Sequence, residues 1–487
     1  MGRGVILVID CGLSFLKVAL ASHEGTIVHS DREPYATRRG DGRAEQDPAD
    51  WWRALTAVIA RMPSRSAVEM IVPTGHMHAL VLTGADAQPL LPCLTLHDRR
   101  GAELLREFDP IGFTACTGQL LDASLPLAKL LWLADTRPEL LDRTAALLAP
   151  KDYLGLRLTG TVATDPIDAA GTGLYDPRAQ RWALDFAALG GLPMGALPSV
   201  RPSTHERGRL LPAVAEELGL RPGTPVAIGA GDDVELLGAT GHAGDRAVEH
   251  VGTTGAILRS VDTIPAFTGP AVEVSPTTSL GRMAVGASTS NCGTVLDWIR
   301  SGLGIDPLSA LDRAPRAGDP VALATLWPPR GGKRESAAAA PAGAWLSQIQ
   351  PGHGRTDLAR ALLVAVAGEL RSCLGHVEAA SGEVRQIVTS GGTAALPWVK
   401  LRAAAYRRPI ATLDGDPTAL GCVAVGLVAA GVESTVESAM QHTHITTSLV
   451  DADPGQADVV DELLARAEDS RHAQGTNGTR LMPLGET

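Results

Sequence analysis

Long apolar runs are missing from this chain. The longest, LGCVAVGLVAAGV from residue 420, has 13 residues and is interrupted by glycine, short of the roughly 18 to 20 that span a bilayer. No transmembrane helix and no membrane partner are therefore expected. The C-x-x-C spacing is missing too. Six cysteines, Cys11, Cys93, Cys116, Cys292, Cys373 and Cys422, lie scattered, which argues against a zinc site or a disulfide framework and leaves them as small buried hydrophobes. Positive charge is in deficit: the net charge of −11 disfavours a general affinity for nucleic acid, which depends on neutralising phosphates. Local basic sites for a nucleotide remain open. Five of the 43 basic residues are lysine, so Lys17, in the first glycine turn, stands out. The opening MGRGVILVIDCG meets an acid after a short apolar core and carries no small-residue cleavage pattern; a secretory leader is not expected, and the cytoplasm is the expected compartment. The phosphate loop G-x-x-x-x-G-K-[ST] does not occur.

What is there fits a globular protein of about two to four domains: 487 residues, 45% of them hydrophobic. VILVID, FLKVALA and TIVHS read as three strands of an antiparallel meander punctuated by CGLS and SHEG. EQDPADWWRALTAVIARM predicts a helix with Asp47 as N-cap, Pro48 at its first position and an apolar stripe through Trp52, Leu55, Val58, Ile59 and Met62. VEMIVPTGHMHALVLT reads as two strands pinched at Pro73 to Gly75. Helices are expected at DRRGAELLREF, PLAKLLWLAD and PELLDRTAALLAPKDYLGLRL. AVEHVGTTGAILRSV, residues 247 to 261, repeats the opening pattern of strand, small-residue turn and strand. Two such hairpins suggest two similar domains facing each other, although any β-hairpin has this outline. WPPRGGKRESAAAAPAG, residues 327 to 343, predicts a surface loop.

Four stretches could carry chemistry, each with a plainer structural alternative. Asp10, at the end of a strand and before Gly12, can hold a hydrated magnesium ion, with Ser14 and Lys17 receiving phosphate oxygens; alternatively it caps a tight hairpin. Gly252, Thr253, Thr254 and Gly255 offer bare amides and hydroxyls that can cradle an anion, or form an ordinary glycine turn. Gly391 and Gly392 lie between a strand and a helix, where a base or ribose can rest on the backbone. GAGDD is the strongest local signal. If TPVAIGA is a strand, Asp232 and Asp233 end it and open a helix; Asp232 then either fills the N-cap or accepts a proton during phosphoryl transfer to a hydroxyl. At that helix N-terminus its ionised form should be favoured. His76 and His78 lack a third ligand at a telling spacing and read as hydrogen-bonding imidazoles.

Taken together, VIDCGLSFLKV, EQDPADWW, PKDYLGLRLTG and TDPIDAAGTGLYD, in that order from Val5 to about Gly431, resemble the FGGY family of carbohydrate kinases, most closely its xylulokinase members. The resemblance implies an α/β chain of two actin-like (ribonuclease-H-like) ATPase domains with an interdomain catalytic cleft. Residues 1–243 would form the N-terminal domain, 244–434 the C-terminal, ATP-binding domain, and 435–487 a partly ordered tail. It implies an ATP-dependent kinase acting on a terminal hydroxyl of a ketopentose such as D-xylulose, or a related sugar or polyol. Asp232 would be the catalytic base, Met77, His78 and Asp233 sugar contacts, and Asp10 the organiser of Mg²⁺. Ser14, Lys17, Gly252, Thr253 and Thr254 would meet ATP phosphates, Gly391 and Gly392 the adenosine. Dimers are common in that family. The chain departs from it at Leu13 and Phe15, where Thr and Gly are usual, at Asp233 for an Asn, at GHMHA, at LHDRR, and at GGKRES. These departures keep open a different sugar, and also a non-catalytic sugar or nucleotide sensor on the same scaffold.

Overall fold

The computed structural model describes residues 4–252, 254–263, 271–279, 281–312, 322–327, 343–390, 395–442 and 446–475. The first seven-stranded sheet contains β1 (Val5–Cys11), β2 (Phe15–Ser22), β3 (Ile27–Pro34), β4 (Val68–Gly75), β5 (Glu206–Arg209), β6 (Pro225–Ala227) and β7 (Ala230–Gly231). Its order is β5-β6-β4-β1-β2-β3, with β7 also on β4. The meander read from the sequence is β1 to β3, and β4 runs parallel to β1.

The second seven-stranded sheet contains β8 (Arg246–Val251), β9 (Gly255–Val261), β10 (Glu273–Pro276), β11 (Met283–Thr289), β12 (Gln386–Ser390), β13 (Ile410–Asp414) and β14 (Thr446–Val450), in the order β10-β11-β9-β8-β12-β13-β14. Here β8 and β9 form the antiparallel hairpin, β11 extends it and β12 lies parallel to β8. The relation matches that of β1, β2, β3 and β4 in the first sheet. The repeated hairpin is thus part of a repeated sheet core.

Local chemistry explains the supporting helices. In α1 (Pro48–Arg61) the Asp47 carboxylate accepts the Ala49 amide at 2.9 Å and Pro48 occupies the first turn, while Trp51, Leu55, Val58 and Ile59 are buried against Leu7, Ile9, Leu16 and Val18. Two further helices, α2 (Glu235–Thr240) and α3 (Pro417–Ala429), lie between the sheets. From α3, Cys422, Val423 and Val425 pack with Ile6, Val8, Met70 and Val72 of the first sheet; Leu236 of α2 and Leu420 of α3 pack with Val248, Val388 and Ala411 of the second. The segment after residue 431, read as a tail, supplies edge strand β14 and the helix Pro454–Gly475.

Several local expectations fail for identifiable reasons. VEMIVPTGHMHALVLT does hold two strands, β4 and Val81–Thr83, but the break falls after Gly75; Pro73 sits inside β4, opposite the break between β6 and β7, where the neighbouring ladder is interrupted. Residues Ala102–Glu107 form a 3₁₀ segment instead of a regular helix, and Ala146–Leu148, expected to be helical, pairs as a strand with Val81–Thr83. The loop expected between residues 327 and 343 falls almost wholly outside the described residues.

Candidate active site

Three parallel strand ends stand side by side: Cys11 of β1 is in register with Gly75 of β4, and Gly75 with Gly231 of β7. Each is followed by residues singled out in the sequence: Gly12 to Ser14, His76 to His78, and Asp232 with Asp233. Crevices at the carboxyl ends of strands are the usual ligand sites of α/β sheets. The sharp turn at Gly229 makes the third end possible. With φ of 76° it adopts a left-handed conformation, and a Cβ there would lie 1.8 Å from the Pro73 carbonyl oxygen.

Asp232 accepts no hydrogen bond from the described residues, so it does not act as an N-cap, and the turn Asp232–Val234 is 3₁₀ before α2 begins. Its expected preference for the charged form is also overturned. Burial first, then the charges of Asp233, Glu235, Asp168 and Asp10, hold its carboxyl well above the usual carboxylate range. A helix of six residues supplies too little dipole to offset four neighbouring acids. Asp233, raised to about 7 by burial and by Glu235 and Glu273, shares the same field. Asp10 is pushed up to about 6 by burial, against the attraction of Lys17. A partly desolvated carboxylate of this kind, at a turn, fits one or two protein ligands of a hydrated magnesium ion whose other ligands are waters and phosphates.

Around the first turn, Gln46 donates to the Leu13 carbonyl at 2.7 Å, the Tyr35 hydroxyl donates to the Gly12 carbonyl, and Ser14 is exposed. Lys17 is paired with Asp416, the residue that caps α3. In the second sheet, the Gly252 amide bonds the Thr254 carbonyl at 3.0 Å, closing a tight turn. Thr253, Gly391 and Gly392 lie outside the described residues.

Met77 and His78 are held firmly. Met77 is wedged between two glycines: a Cβ at Gly171 would meet its Cε at 2.7 Å, and one at Gly231 its Cγ at 2.8 Å. His78 has φ of 59°, a strained conformation for a non-glycine residue. Its Nδ1 donates to the Gly171 carbonyl at 2.8 Å, and its own carbonyl accepts from Lys129 at 3.1 Å. Burial lowers the His78 pKa, so the ring is neutral with Nε2 left as an acceptor. His76 turns inward, its Nδ1 on the Cys11 carbonyl at 2.8 Å.

Beneath these residues is a charge network that the sequence reading missed. Lys151, fully buried, lies 2.7 Å from Asp152, 3.1 Å from Asp165 and 3.1 Å from Asp168, and Arg207 lies 2.6 Å from Asp152. Burial opposes charge on Lys151, but the three carboxylates outweigh it and raise its pKa. The motifs PKDYL and TDPIDAAG were visible; their convergence was not.

Two family models match the chain: the N-terminal domain of the FGGY family of carbohydrate kinases over residues 5–238 and the C-terminal domain over residues 250–430. The chain belongs to the FGGY family of carbohydrate kinases. Among relatives of this FGGY kinase, a xylulose kinase of Klebsiella pneumoniae is 28% identical over 406 residues, 81% of this chain and 83% of the relative. A gluconokinase of Bacillus subtilis is 24% identical over 474 residues, 91% and 92% of the two chains. A solved structure described as a xyloylose kinase from Brucella ovis superposes with a TM-score of 0.86 at 26% identity, covering 97% and 100%. The two matching sheets are accordingly the two actin-like, ribonuclease-H-like domains of an FGGY sugar kinase, for which ATP is the co-substrate. Among the described residues no helix is long and apolar enough to cross a membrane.

Proposed function

We propose that this kinase transfers the γ-phosphoryl group of ATP to a terminal hydroxyl of a ketopentose such as D-xylulose, or a closely related neutral sugar or polyol, with Asp232 as the base. The observation that carries the reading is the Asp232 carboxylate itself: without a hydrogen bond among the described residues, at a strand end, and within the field of Asp10 of the first hairpin. The substrate oxygen attacks phosphorus, the bond from phosphorus to the β-phosphate oxygen breaks, ADP leaves, and the hydroxyl proton passes to Asp232. For that, Asp232 must be ionised when the hydroxyl arrives; its raised pKa makes it a stronger base than a surface aspartate. Asp10 would hold Mg²⁺, which would neutralise phosphate charge, and the amides at Gly252 and Thr254 would receive phosphate oxygens.

Sugar hydroxyls would donate to Asp233 and to Nε2 of His78, while Met77 packs against the carbon skeleton. A neutral substrate suits this wall better than an aldonate. Asp233 and Glu273 face the same space, and the neighbouring His76 and His97, each lowered to about 4 chiefly by burial, offer no positive charge. The test is ADP release measured with a panel of ketoses, polyols and aldonates. Sugar-dependent release with a neutral ketose or polyol is the expected result. Release with aldonates alone would overturn the substrate class, and binding of sugar without any release would replace the kinase with a sensor.

A further inference from the structure

One small cavity, bordered by His78 and Asp168, adjoins the site already described, and another, lined by Ala324, Val364 and Leu463, is apolar. The buried Lys151 network meets that first cavity through Asp152 and Asp168 and adds no separate site. One group remains that the mechanism above does not use, and it stands in the cleft.

His250 is on β8, two residues before Gly252, and reaches across to the other domain, where its Nδ1 lies 3.3 Å from the Glu235 carboxylate on α2. The ring is anchored from behind as well. Glu249, the preceding residue, is fully buried and gripped by Arg402 and Tyr406, which fixes the strand that presents His250. The other ring nitrogen, Nε2, lies against the glycine turn: a Cβ at Gly252 would come within 2.8 Å of it. No protein acceptor among the described residues takes that nitrogen, and half of the side chain is open to the cleft.

Charge balance gives the position meaning. Asp10, Asp232, Asp233 and Glu235 crowd the place where a triphosphate would end, and beyond the magnesium ion that Asp10 would hold, a terminal phosphate there gains from a protein cation. The protein's other nearby cations are committed: Lys17 to Asp416, Lys151 to three buried aspartates, and Lys129 to the carbonyls of His78 and Ser124. We propose that His250, held as an imidazolium by Glu235 across the domain boundary, donates its Nε2–H to the terminal phosphate of the bound nucleotide, and that this contact distinguishes triphosphate from diphosphate. Glu235 acts through His250 as a positioning residue. The groups facing His250 are all acidic, Glu235 foremost with Asp232 and Asp233 behind it, and they push its pKa up to about 9 against the effect of burial. The ring is therefore charged at neutral pH. The inference rests on the sugar kinase reading for the nucleotide but not for the identity of the sugar.

The experiment compares binding of ADP and of a non-hydrolysable ATP analogue, each with magnesium, by calorimetry on the intact protein. His250→Gln should weaken the triphosphate analogue about tenfold or more, the scale of one charge-assisted hydrogen bond, with ADP affinity unchanged. His250→Arg should recover part of the loss. In the unmutated protein the preference for triphosphate should fall as pH rises through about 9, and this dependence should vanish in His250→Gln. Glu235→Gln, which keeps the ring but removes its main counter-charge, should move that fall to lower pH. Equal losses for both nucleotides, or a triphosphate preference that survives His250→Gln unchanged, would overturn the proposal. Because no sugar is used, a wrong sugar assignment leaves the outcome readable.

Discussion

Gly238 and Gly421 bring α2 and α3 into backbone contact. A Cβ at Gly238 would lie 1.8 Å from the Pro417 carbonyl oxygen, and one at Gly421 would lie 2.3 Å from the Val234 carbonyl oxygen. These are the two helices between the sheets, and α2 begins three residues after Asp232. The crossing therefore sets both the spacing of the domains and the place of the carboxylate.

Gly238→Ala should separate the helices, since neither backbone atom can yield as a flexible side chain would. A cost of roughly 1–3 kcal/mol is expected from overpacking, read as a lower urea midpoint, together with a fall in turnover because the interdomain helices shift. A variant as stable and active as the parent would show that the crossing is looser than the distances indicate.

Much of this was legible in the sequence, and the failures share a cause. The Asp47 and Pro48 helix start, the meander and its repeat depend on residues close in the chain, and each formed where read. The place of Pro73 was not legible because its tolerance depends on the break between β6 and β7, about 150 residues later. The charge state of Asp232 was not legible because the convergence of the acids that raise its pKa is tertiary: Asp10 lies on another strand and Asp168 inside a distant motif, and both meet Asp232 only in the fold. The Glu235–His250 pair bridges domains and leaves no local pattern.

Asp232→Asn should lower turnover by about two orders of magnitude or more, the low end of what a general base supplies, with sugar affinity largely kept. Since the acid must be ionised to accept a proton, and since its carboxyl is held well above the ordinary range, turnover of the parent should climb with pH through a limb displaced above ~4. Steady-state rates across pH 4 to 9 give both quantities together. Near-parental turnover in the Asn variant would remove Asp232 from the reaction.

Asp233 permits a stability test independent of catalysis. Its folded pKa is raised from 3.8 to about 7, so the folded state keeps a proton that the unfolded chain gives up. Folding is unpenalised below the unfolded value, loses stability as pH rises between the two values, and carries the full penalty above about 7. Asp233→Asn should therefore melt at a higher temperature than the parent at pH 8, with the difference shrinking as pH falls and closing near pH 4. A constant offset at every pH would assign the change to packing.

Lys151→Met tests the buried network from its centre. The ammonium is sealed from solvent and neighboured by Asp152, Asp165 and Asp168; without it, Arg207 still reaches Asp152, but Asp165 and Asp168 lose the charge that compensates their burial. Breaking a buried pair from one side costs about 3–5 kcal/mol, far more than an exposed pair, whose partners simply rehydrate. Arg53→Ala provides the contrast, because its partner Asp50 lies on the exposed face of α1, and its effect should be within about 1 kcal/mol. Urea unfolding of both variants decides the matter. Asp168 is also one of the acids that bear on Asp232, so the loss of Lys151 should reach the site: Asp168 must take up a proton or repel its neighbours, and the acid limb of turnover should move in any Lys151→Met protein that still folds. A destabilised variant with an unmoved limb would mean the network supports the fold without tuning the carboxylates above it.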